Sequence, residues 1–159
     1  MTRIMFVCHG NICRSPMAEF IFKKLISDRG VADRFSVASS ATSREEIWNG
    51  VGNPVYPPAR DELRLHGISC EGKRAVQLTP DDLGRYDLFV GMDGANIRNI
   101  HRILGEGSHG KIRKLMDFTD RGGDVADPWY SDRFDVAYRD IYDGCLALLD
   151  TLLKKELET

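Results

Sequence analysis

Cysteine is scarce in this sequence, and the spacing of the cysteines excludes a protein with a cysteine-ligated metal and a disulfide-rich protein. The four cysteines, Cys8, Cys13, Cys70 and Cys145, include no Cys-x2-Cys pair and no dense framework for disulfides. The four histidines show no metal-ligand spacing with the cysteines or with one another. We therefore expect no metal site, no cofactor and a reducing, cytoplasmic setting.

Long hydrophobic runs, basic clusters and repeats are also missing. The first apolar run, residues 4–7, is too short for a signal peptide or a membrane span. A net charge of −2 without a basic cluster gives no sign of a nucleic-acid partner. With 42% hydrophobic and 29% charged residues, the composition is typical of a soluble globular protein. We expect one domain over residues 1–159 that acts as a monomer away from membranes.

Apolar residues follow patterns of alternating strands and helices. Short apolar runs predict strands at residues 4–7, 35–39, 87–92 and 112–116. Helical spacing predicts helices over residues 16–29, 60–66 and from 128 onward, with further helix starts at Thr79 and Asp93. Residues 39–58 are predicted as a long loop, which is usually functional. The alternation indicates an α/β fold in which helices cover both faces of a parallel sheet.

The most informative stretch joins the first predicted strand to the first predicted helix. Residues 8–16 read Cys-His-Gly-Asn-Ile-Cys-Arg-Ser-Pro. A tight, glycine-containing loop between a strand and a helix turns several backbone N–H groups toward one point, which makes an anion site. Cys8 opens this loop and Arg14 closes it. A guanidinium clamps phosphate with two prongs, and the same electropositive setting favours a thiolate aimed at phosphorus.

The residues around this Cys-x5-Arg loop fit the same interpretation. Gly10 allows a tight turn, and Ser15 followed by proline suits a helix N-cap. The Ser15 hydroxyl is also placed to donate to a thiolate on Cys8. Asn11 tolerates left-handed backbone and is expected to bend the loop. The alternative is that Cys8 is a small buried residue closing a strand, which leaves Arg14 and the glycine unexplained.

Hydrolysis of a phosphate ester needs a proton donor for the leaving oxygen, and Asp127 is the candidate. It follows a polar, glycine-containing loop and precedes a proline and two aromatic residues, Trp129 and Tyr130, which can flank a phenyl ring. Asp127 can equally cap the helix that follows, a role compatible with acid catalysis. Asp120 and Asp124 are rivals that lack the proline and the aromatic pair.

Residues 8–16 resemble the signature of the low-molecular-weight protein tyrosine phosphatases, and the similarity runs over nearly the whole chain. The resemblance implies four parallel strands in the order 2-1-3-4, with the phosphate loop after strand 1. It implies hydrolysis of phosphotyrosine in proteins or peptides through a phosphocysteine on Cys8, with release of inorganic phosphate. Arg14 and the loop amides would bind phosphate, and Asp127 would be the general acid. The loop residues that would surround the phosphate or support the loop are His9, Gly10, Asn11, Ile12, Cys13 and Ser15.

The resemblance also implies a network behind the loop. Ser39 and His66 would hold the buried Asn11 amide, although His66 alone is better explained as a histidine favoured by a helix C-terminus. Cys13 would form a reversible disulfide with Cys8 that protects the nucleophile from over-oxidation. The alternative for Cys13 is a packed thiol, and both can hold.

Aromatic residues are implied to line the substrate cleft. Trp48 and Tyr130 match cleft positions, with Ile12 at the floor and Trp129 beside them. Without the resemblance, a lone tryptophan such as Trp48 is more often a loop anchor that buries its ring. Tyr130 is also a hypothetical phosphorylation site by analogy with the family.

Three other interpretations compete with this one. A phosphoarginine phosphatase of the same fold tends to carry threonine where Ile12 stands, and an apolar residue there suits a phenyl ring better. An arsenate reductase would need two further cysteines on a mobile segment, but Cys70 stands alone and Cys145 falls on the buried stripe of the last helix. A cysteine phospho-carrier or phosphate-binding module, which belongs to a different class, would use Cys8 without needing a general acid such as Asp127.

Overall fold

A computed structural model describes residues 1–158 and shows a four-stranded sheet with a separate hairpin. The strands are β1 (Thr2–Cys8), β2 (Phe35–Ala41), β3 (Ile47–Trp48), β4 (Val51–Gly52), β5 (Leu88–Gly91) and β6 (Ile112–Lys114). Parallel pairing places the sheet strands in the order β2-β1-β5-β6, while β3 and β4 pair antiparallel. The predicted order 2-1-3-4 is confirmed, with β5 and β6 as the third and fourth sheet strands.

Helices cover both faces of the sheet, as predicted. They are α1 (Arg14–Asp28), α2 (Pro57–Leu65), α3 (Gly94–Leu104), α4 (Pro128–Ser131) and α5 (Phe134–Glu158). Phe6 of β1 packs on Phe22 of α1 in a core cluster that α5 shares, whereas Met5 lies with Ile100 of α3 in a second cluster. The two clusters follow from the alternation of side chains along a strand. In the part of the chain that the structure describes, no helix is both long and apolar enough to cross a membrane.

The central strand β1 sets the position of the Cys-x5-Arg loop. Residues 4–8 are buried on both faces of the sheet, because β2 and β5 flank the strand and helices cover it above and below. In open α/β sheets, ligands bind beyond the carboxyl ends of the strands where the winding reverses. Cys8 is the last residue of β1 and therefore lies at that crevice.

The start of α1 differs from the prediction. The helix begins at Arg14 with Cys13 as its N-cap, so Ser15 lies inside the first turn and is not the cap. The Ser15 hydroxyl is instead engaged with the Cys8 sulfur and the Asn11 amide. The Ser15 backbone N–H, which a capping side chain would otherwise accept from, points at the Cys8 sulfur.

Other boundaries also differ, mostly where the sequence signal is short. The last helix does not run on from Pro128, because Asp132 adopts a left-handed conformation with φ of 57° and separates α4 from α5. The segment after Thr79 forms a 3-10 turn, Pro80–Gly84, and not an α-helix. The predicted loop at residues 39–58 contains the end of β2, the β3–β4 hairpin and the first two residues of α2.

Candidate active site

The loop between β1 and α1 wraps around the Cys8 sulfur. Cys8 is 4% exposed, and the backbone N–H groups of Asn11 and Ser15 point at its Sγ from 3.3 and 3.4 Å. The Ser15 hydroxyl oxygen lies 3.0 Å from the same sulfur. Donors that converge on one sulfur in this way are the arrangement that stabilises a thiolate where one forms.

Asn11 shapes this loop through its backbone and its side chain. Its φ of 58° lies in the left-handed region, which bends the chain back toward Cys8. The buried amide holds that bend: Oδ1 accepts from the backbone N–H of Val76 at 3.0 Å, and Nδ2 donates to Ser15 Oγ at 2.8 Å and Ser39 Oγ at 3.0 Å. Ser39 is therefore where the resemblance places it.

The prediction that His66 belongs to this network is wrong. His66 is the residue after the last turn of α2, and its Nε2 lies 3.0 Å from the Glu62 carboxylate. Its ring stacks on Tyr138 of α5 with 3.7 Å between the centroids. These contacts hold the side chain at the α2–α5 junction, and the explanation as a histidine at a helix C-terminus fits the structure better.

Two residues that the sequence analysis missed occupy the back of the network. Ser39 Oγ donates to Glu19 Oε1 at 2.6 Å, and Lys73 Nζ donates to the Ser39 carbonyl oxygen at 3.0 Å. Glu19 lies one helical turn beyond Ser15, so a carboxylate on the buried face of α1 was a local signal that was available. Lys73 had no local sequence signal, since it lies 54 positions beyond Glu19 in the chain.

Arg14 is fixed at the mouth of the loop by acceptors from distant segments. Its side chain is buried, with Nη1 donating to the carbonyl oxygen of Val125 at 3.0 Å and Nη2 to Asp93 Oδ2 at 2.8 Å. Asp93 caps α3, as predicted, by accepting from Asn96 N–H at 2.8 Å. Its second role, orienting Arg14, was not predicted.

The charge state of Asp93 follows from these contacts. Burial favours the neutral carboxyl group, but the hydrogen bonds from the Asn96 backbone and from Arg14 outweigh it and lower the pKa of Asp93 below its usual 3.8. Asp93 is thus an anion at neutral pH and neutralises a guanidinium that is shielded from water. A buried charge without such a partner is costly.

Asp127 lies across the cleft from the loop. Its Oδ1 accepts from Trp129 N–H at 3.0 Å, which caps α4 as predicted, and its Oδ2 lies 3.6 Å from Arg14 Nη2. The Asp127 side chain is 35% exposed and lines the cleft, so it is accessible both to solvent and to a molecule in the cleft. Its rival Asp124 pairs with Lys114 at 3.0 Å, away from the cleft.

A cavity of about 510 Å³ opens over the loop and brings the predicted reactive groups together. Cys8, Arg14 and Asp127 all line it. The other lining residues are His9, Gly10, Ile12, Cys13, Glu45, Glu46, Asp93, Ala95, Asn96, Asn99, Trp129 and Tyr130. A hollow of about 590 Å³ beside α2, lined by Arg60, Arg64 and Cys70 among others, has no comparable group of reactive side chains.

Trp48 is not among the residues that line the cavity, contrary to the prediction. The β3–β4 hairpin holds its ring in solvent, 80% exposed, so the alternative of a buried loop anchor is also wrong. Trp129 and Tyr130 do line the cavity, and Tyr56 supports Trp129 from behind with 5.1 Å between ring centroids. Tyr56 was missed because it lies next to prolines that indicate only a turn.

Cys13 neighbours the sulfur site without being bonded to it. The cysteines of the described residues are all free thiols, and burial, followed by the charge of Cys8, raises the pKa of Cys13 far above its usual range. Cys13 is therefore a neutral thiol near neutral pH. The Cys8–Cys13 disulfide stays a prediction.

Within residues 1–158, no group of three histidine, cysteine or acidic side chains is arranged to hold a metal ion.

Replacing Asp93 with asparagine tests how Arg14 is held. Asn can still cap α3 but gives Arg14 only a neutral acceptor. We expect kcat/KM to fall on the order of 10- to 100-fold, because hydrogen bonds between charged groups contribute about 1.5–3 kcal/mol. The pKa of Asp93 is lower in the folded protein than in the unfolded chain, so the Asp93 carboxylate stabilises the fold fully above pH 3.8. This stabilisation is lost as the pH falls through the pKa of Asp93 in the folded protein.

Urea unfolding at several pH values measures that contribution directly. The difference in unfolding free energy between wild type and Asp93→Asn should be constant from pH 5 to 7 and shrink below pH 3.8. A difference that is equally large at pH 2 and pH 7 would show that the carboxylate charge is not what stabilises the site.

Comparison with known families gives a match over almost the whole chain. The family model described as low molecular weight phosphotyrosine protein phosphatase matches residues 3–158. The low molecular weight protein-tyrosine-phosphatase YfkJ of Bacillus subtilis is 34% identical over 158 residues, covering 98% of this chain and 99% of the relative. The low molecular weight phosphotyrosine protein phosphatase of Sus scrofa is 36% identical over 155 residues, covering 96% and 94%.

Solved structures give the same result. The crystal structure of YfkJ from Bacillus subtilis superposes with a TM-score of 0.91 at 34% identity, covering 98% of this chain and 96% of that one. The crystal structure of SP-PTP, a low molecular weight protein tyrosine phosphatase from Streptococcus pyogenes, gives a TM-score of 0.86 at 34% identity, covering 99% and 98%.

Proposed function

Because the chain belongs to the low molecular weight phosphotyrosine protein phosphatase family, we propose that it hydrolyses phosphotyrosine in proteins and peptides through a phosphocysteine on Cys8. The observation that carries this proposal is one cavity lined by a buried sulfur ringed with donors, a guanidinium and a carboxyl group. A nucleophile, an oxyanion stabiliser and a proton donor are the groups that metal-independent phosphoryl transfer requires.

In the first step, the Cys8 thiolate attacks phosphorus in line. The P–S bond forms as the P–O bond to tyrosine breaks, and Asp127 in its acid form gives a proton to the leaving phenolate oxygen. The loop amides and Arg14 hold the equatorial oxygens, where charge is spread in a loose transition state. Asp93 keeps the guanidinium aimed at that position.

In the second step, water attacks the phosphocysteine. The Asp127 carboxylate takes a proton from the water, the P–S bond breaks, and inorganic phosphate leaves with Cys8 again a thiolate. The 3.6 Å between Asp127 Oδ2 and Arg14 Nη2 supports this role, since Arg14 is the group proposed to hold the phosphate.

The cavity walls support an aromatic leaving group. Ile12 forms an apolar part of the wall, and Trp129 and Tyr130 of α4 line the same cavity. Contact with such apolar surfaces stabilises a bound phenyl ring more than a bound guanidinium, because burying the charged guanidinium costs desolvation free energy. This favours phosphotyrosine over phosphoarginine.

The remaining proposals rest mainly on the sequence. We propose that residues 1–159 act as one catalytic domain, since the family model alone spans residues 3–158. Free thiols and a thiolate nucleophile both suit a cytoplasmic, reducing setting. A monomeric state, the lack of a nucleic-acid partner and regulation through Tyr130 or a Cys8–Cys13 disulfide remain predictions.

The test is phosphate release from three peptides of matched sequence carrying phosphotyrosine, phosphoserine or phosphoarginine, in EDTA and reductant. We expect efficient turnover of the phosphotyrosine peptide alone. Preference for phosphoarginine would keep the mechanism and contradict the inference from Ile12. A stable phosphoryl label on Cys8 without phosphate release would favour a phospho-carrier.

A further inference from the structure

The loop that carries Asp127 depends on contacts outside itself for its shape. We call residues 119–127 the acid loop, which joins the 3-10 turn Leu115–Phe118 to α4. Within it, Gly122 and Gly123 both adopt left-handed backbone, with φ of 59° and 84°. Glycine loses more conformational freedom on folding than any other residue, so two in succession make the ordered loop costly. Contacts from other elements must therefore hold it.

Asp140 of α5 makes two of these contacts with a single carboxyl group. Its Oδ1 accepts from Arg121 Nη2 at 2.9 Å, and its Oδ2 accepts from the backbone N–H of Ala126 at 3.3 Å. The Asp140 side chain is only 14% exposed. A carboxylate shielded from water is costly unless its oxygens are paired, and both oxygens of Asp140 are paired with the acid loop. The helix therefore holds the loop at the residue just before Asp127.

Arg121 extends this attachment to a second carboxylate of α5. Its Nη1 donates to Asp143 Oδ2 at 3.0 Å, so the guanidinium spans two acids that lie on one face of the helix. The Arg121 side chain is 48% exposed and that of Asp143 40%, and water and salt weaken such an outer pair. Asp140 is the more shielded partner and also accepts from the loop backbone, so its contacts should hold the loop more firmly.

The position of Ala126 matters because the proposed catalytic groups meet beside it. The preceding residue, Val125, donates its N–H to the Met92 carbonyl oxygen at 2.9 Å, and its own carbonyl oxygen accepts from Arg14 Nη1 at 3.0 Å. The following residue, Asp127, has its Oδ2 3.6 Å from Arg14 Nη2. Ala126 thus links a segment fixed to the sheet with the candidate acid. Releasing its N–H leaves Val125 and Arg14 in place but frees the backbone that aims Asp127.

We propose that Asp140 and Arg121 are positioning residues of the phosphatase reaction, because they fix the acid loop on α5 and thereby aim Asp127 at the leaving oxygen. Neither residue lines the cavity, so they act through the loop backbone and do not touch the substrate. A general acid must lie within about 3 Å of the oxygen that it protonates, and a misplacement of about 1 Å costs on the order of 10²-fold in rate. The inference rests on the proposed function, in which Asp127 is that acid.

The test is kcat/KM of Asp140→Asn for two substrates, a phosphotyrosine peptide and an aryl phosphate whose phenol is strongly acidic. Asparagine is isosteric, but whichever way its amide turns, its NH2 group faces either Arg121 or the Ala126 N–H, which are both donors. We expect kcat/KM to fall about tenfold for the peptide and less than about twofold for the aryl phosphate, whose phenolate leaves without a proton. Inhibition by inorganic phosphate should stay as in wild type, since Arg14 still donates to the Val125 carbonyl oxygen.

Further variants separate the shielded contact from ordinary surface charge. Asp143→Asn removes only the outer pair and should lower kcat/KM less than about twofold on either substrate. Asp150→Asn is the matched control and should behave as wild type, because it removes an α5 carboxylate paired with Arg29 about three helical turns further along. Arg121→Met should reproduce the selective loss for the peptide. Arg121→Lys, which keeps a positive charge for Asp140, should recover part of that loss.

Selectivity between the two substrates is an effect that a merely structural role would not produce. An equal loss on both substrates in Asp140→Asn, or an unchanged kcat/KM for the peptide, would overturn the proposal. If Asp140→Asn does not fold, the Arg121 variants decide, and a loss in Arg121→Met that is the same for both substrates or is not reduced in Arg121→Lys would overturn it.

A measurement without substrate keeps this inference distinct from the proposed function. If wild type releases no phosphate from either substrate, the proposed function fails. Amide hydrogen exchange then still tests the attachment of the acid loop, since the Ala126 N–H should exchange faster in Asp140→Asn than in wild type. Equal exchange in the two proteins would show that Asp140 does not hold the loop.

Discussion

Cys8→Ser is expected to abolish phosphate release from phosphotyrosine peptides, with kcat/KM falling on the order of 10⁴-fold or more. A serine hydroxyl is not ionised near neutral pH and needs a base to remove its proton. The cavity offers the Cys8 position mainly donors, namely the backbone N–H groups of Asn11 and Ser15 and the Ser15 hydroxyl. Groups that stabilise an anion already present cannot activate an alcohol.

The Cys8→Ser variant should nevertheless bind phosphate. The loop amides and Arg14 remain in place, and serine is smaller than cysteine, so calorimetry should detect inorganic phosphate or phosphopeptide binding similar to that of wild type. Cys70→Ser is the matched control, since Cys70 is also buried but lies beside the α2 hollow, and it should keep full activity. Retention of more than a tenth of the activity by Cys8→Ser would exclude Cys8 as the nucleophile.

The Cys-x5-Arg loop was predictable because its determinants are local. A buried apolar run, a glycine-containing turn and a helix start within residues 4–16 define a strand–loop–helix junction without help from the rest of the chain. The alternation of longer elements likewise defined a parallel sheet, because each segment carries its own periodicity. Asp127 became the candidate acid for the same local reason, a cap, a proline and two aromatics in consecutive positions, together with the family resemblance.

The missed features depend on pairs that are distant in sequence. Asp93 reaches Arg14 across 79 positions, and Lys73 reaches Ser39 across 34, and neither pair leaves a periodic signal. For Trp48 the residue type itself misled, because a tryptophan suggested either a buried ring or a wall of the cleft. The short β3–β4 hairpin instead holds its side chain in solvent. The break at Asp132 was missed because a left-handed aspartate has no spacing signature of its own.

Asp127→Asn is expected to lower kcat on a phosphotyrosine peptide by about 10²- to 10³-fold, within the range for loss of a general acid. Asparagine is isosteric, and its side-chain oxygen can still accept from Trp129 N–H, so the cap of α4 is preserved. The substitution also replaces an ionisable carboxyl group 3.6 Å from Arg14 with a neutral amide, which adds no repulsion toward a phosphate, so KM should stay equal or fall. A loss confined to kcat would therefore report the missing proton and not a displaced helix.

The leaving group decides whether the missing proton is the cause. An aryl phosphate whose phenol is strongly acidic departs as a phenolate without a proton, so its reaction should be much less sensitive to Asp127→Asn than that of phosphotyrosine. Asp124→Asn is the matched control, because Asp124 lies on the same loop but pairs with Lys114 away from the cleft. Equal losses on both substrates, or an equal loss in Asp124→Asn, would exclude Asp127 as the acid. A selective loss on phosphotyrosine would assign the proton of the leaving oxygen to the Asp127 carboxyl group, which lines the cavity together with Cys8 and Arg14.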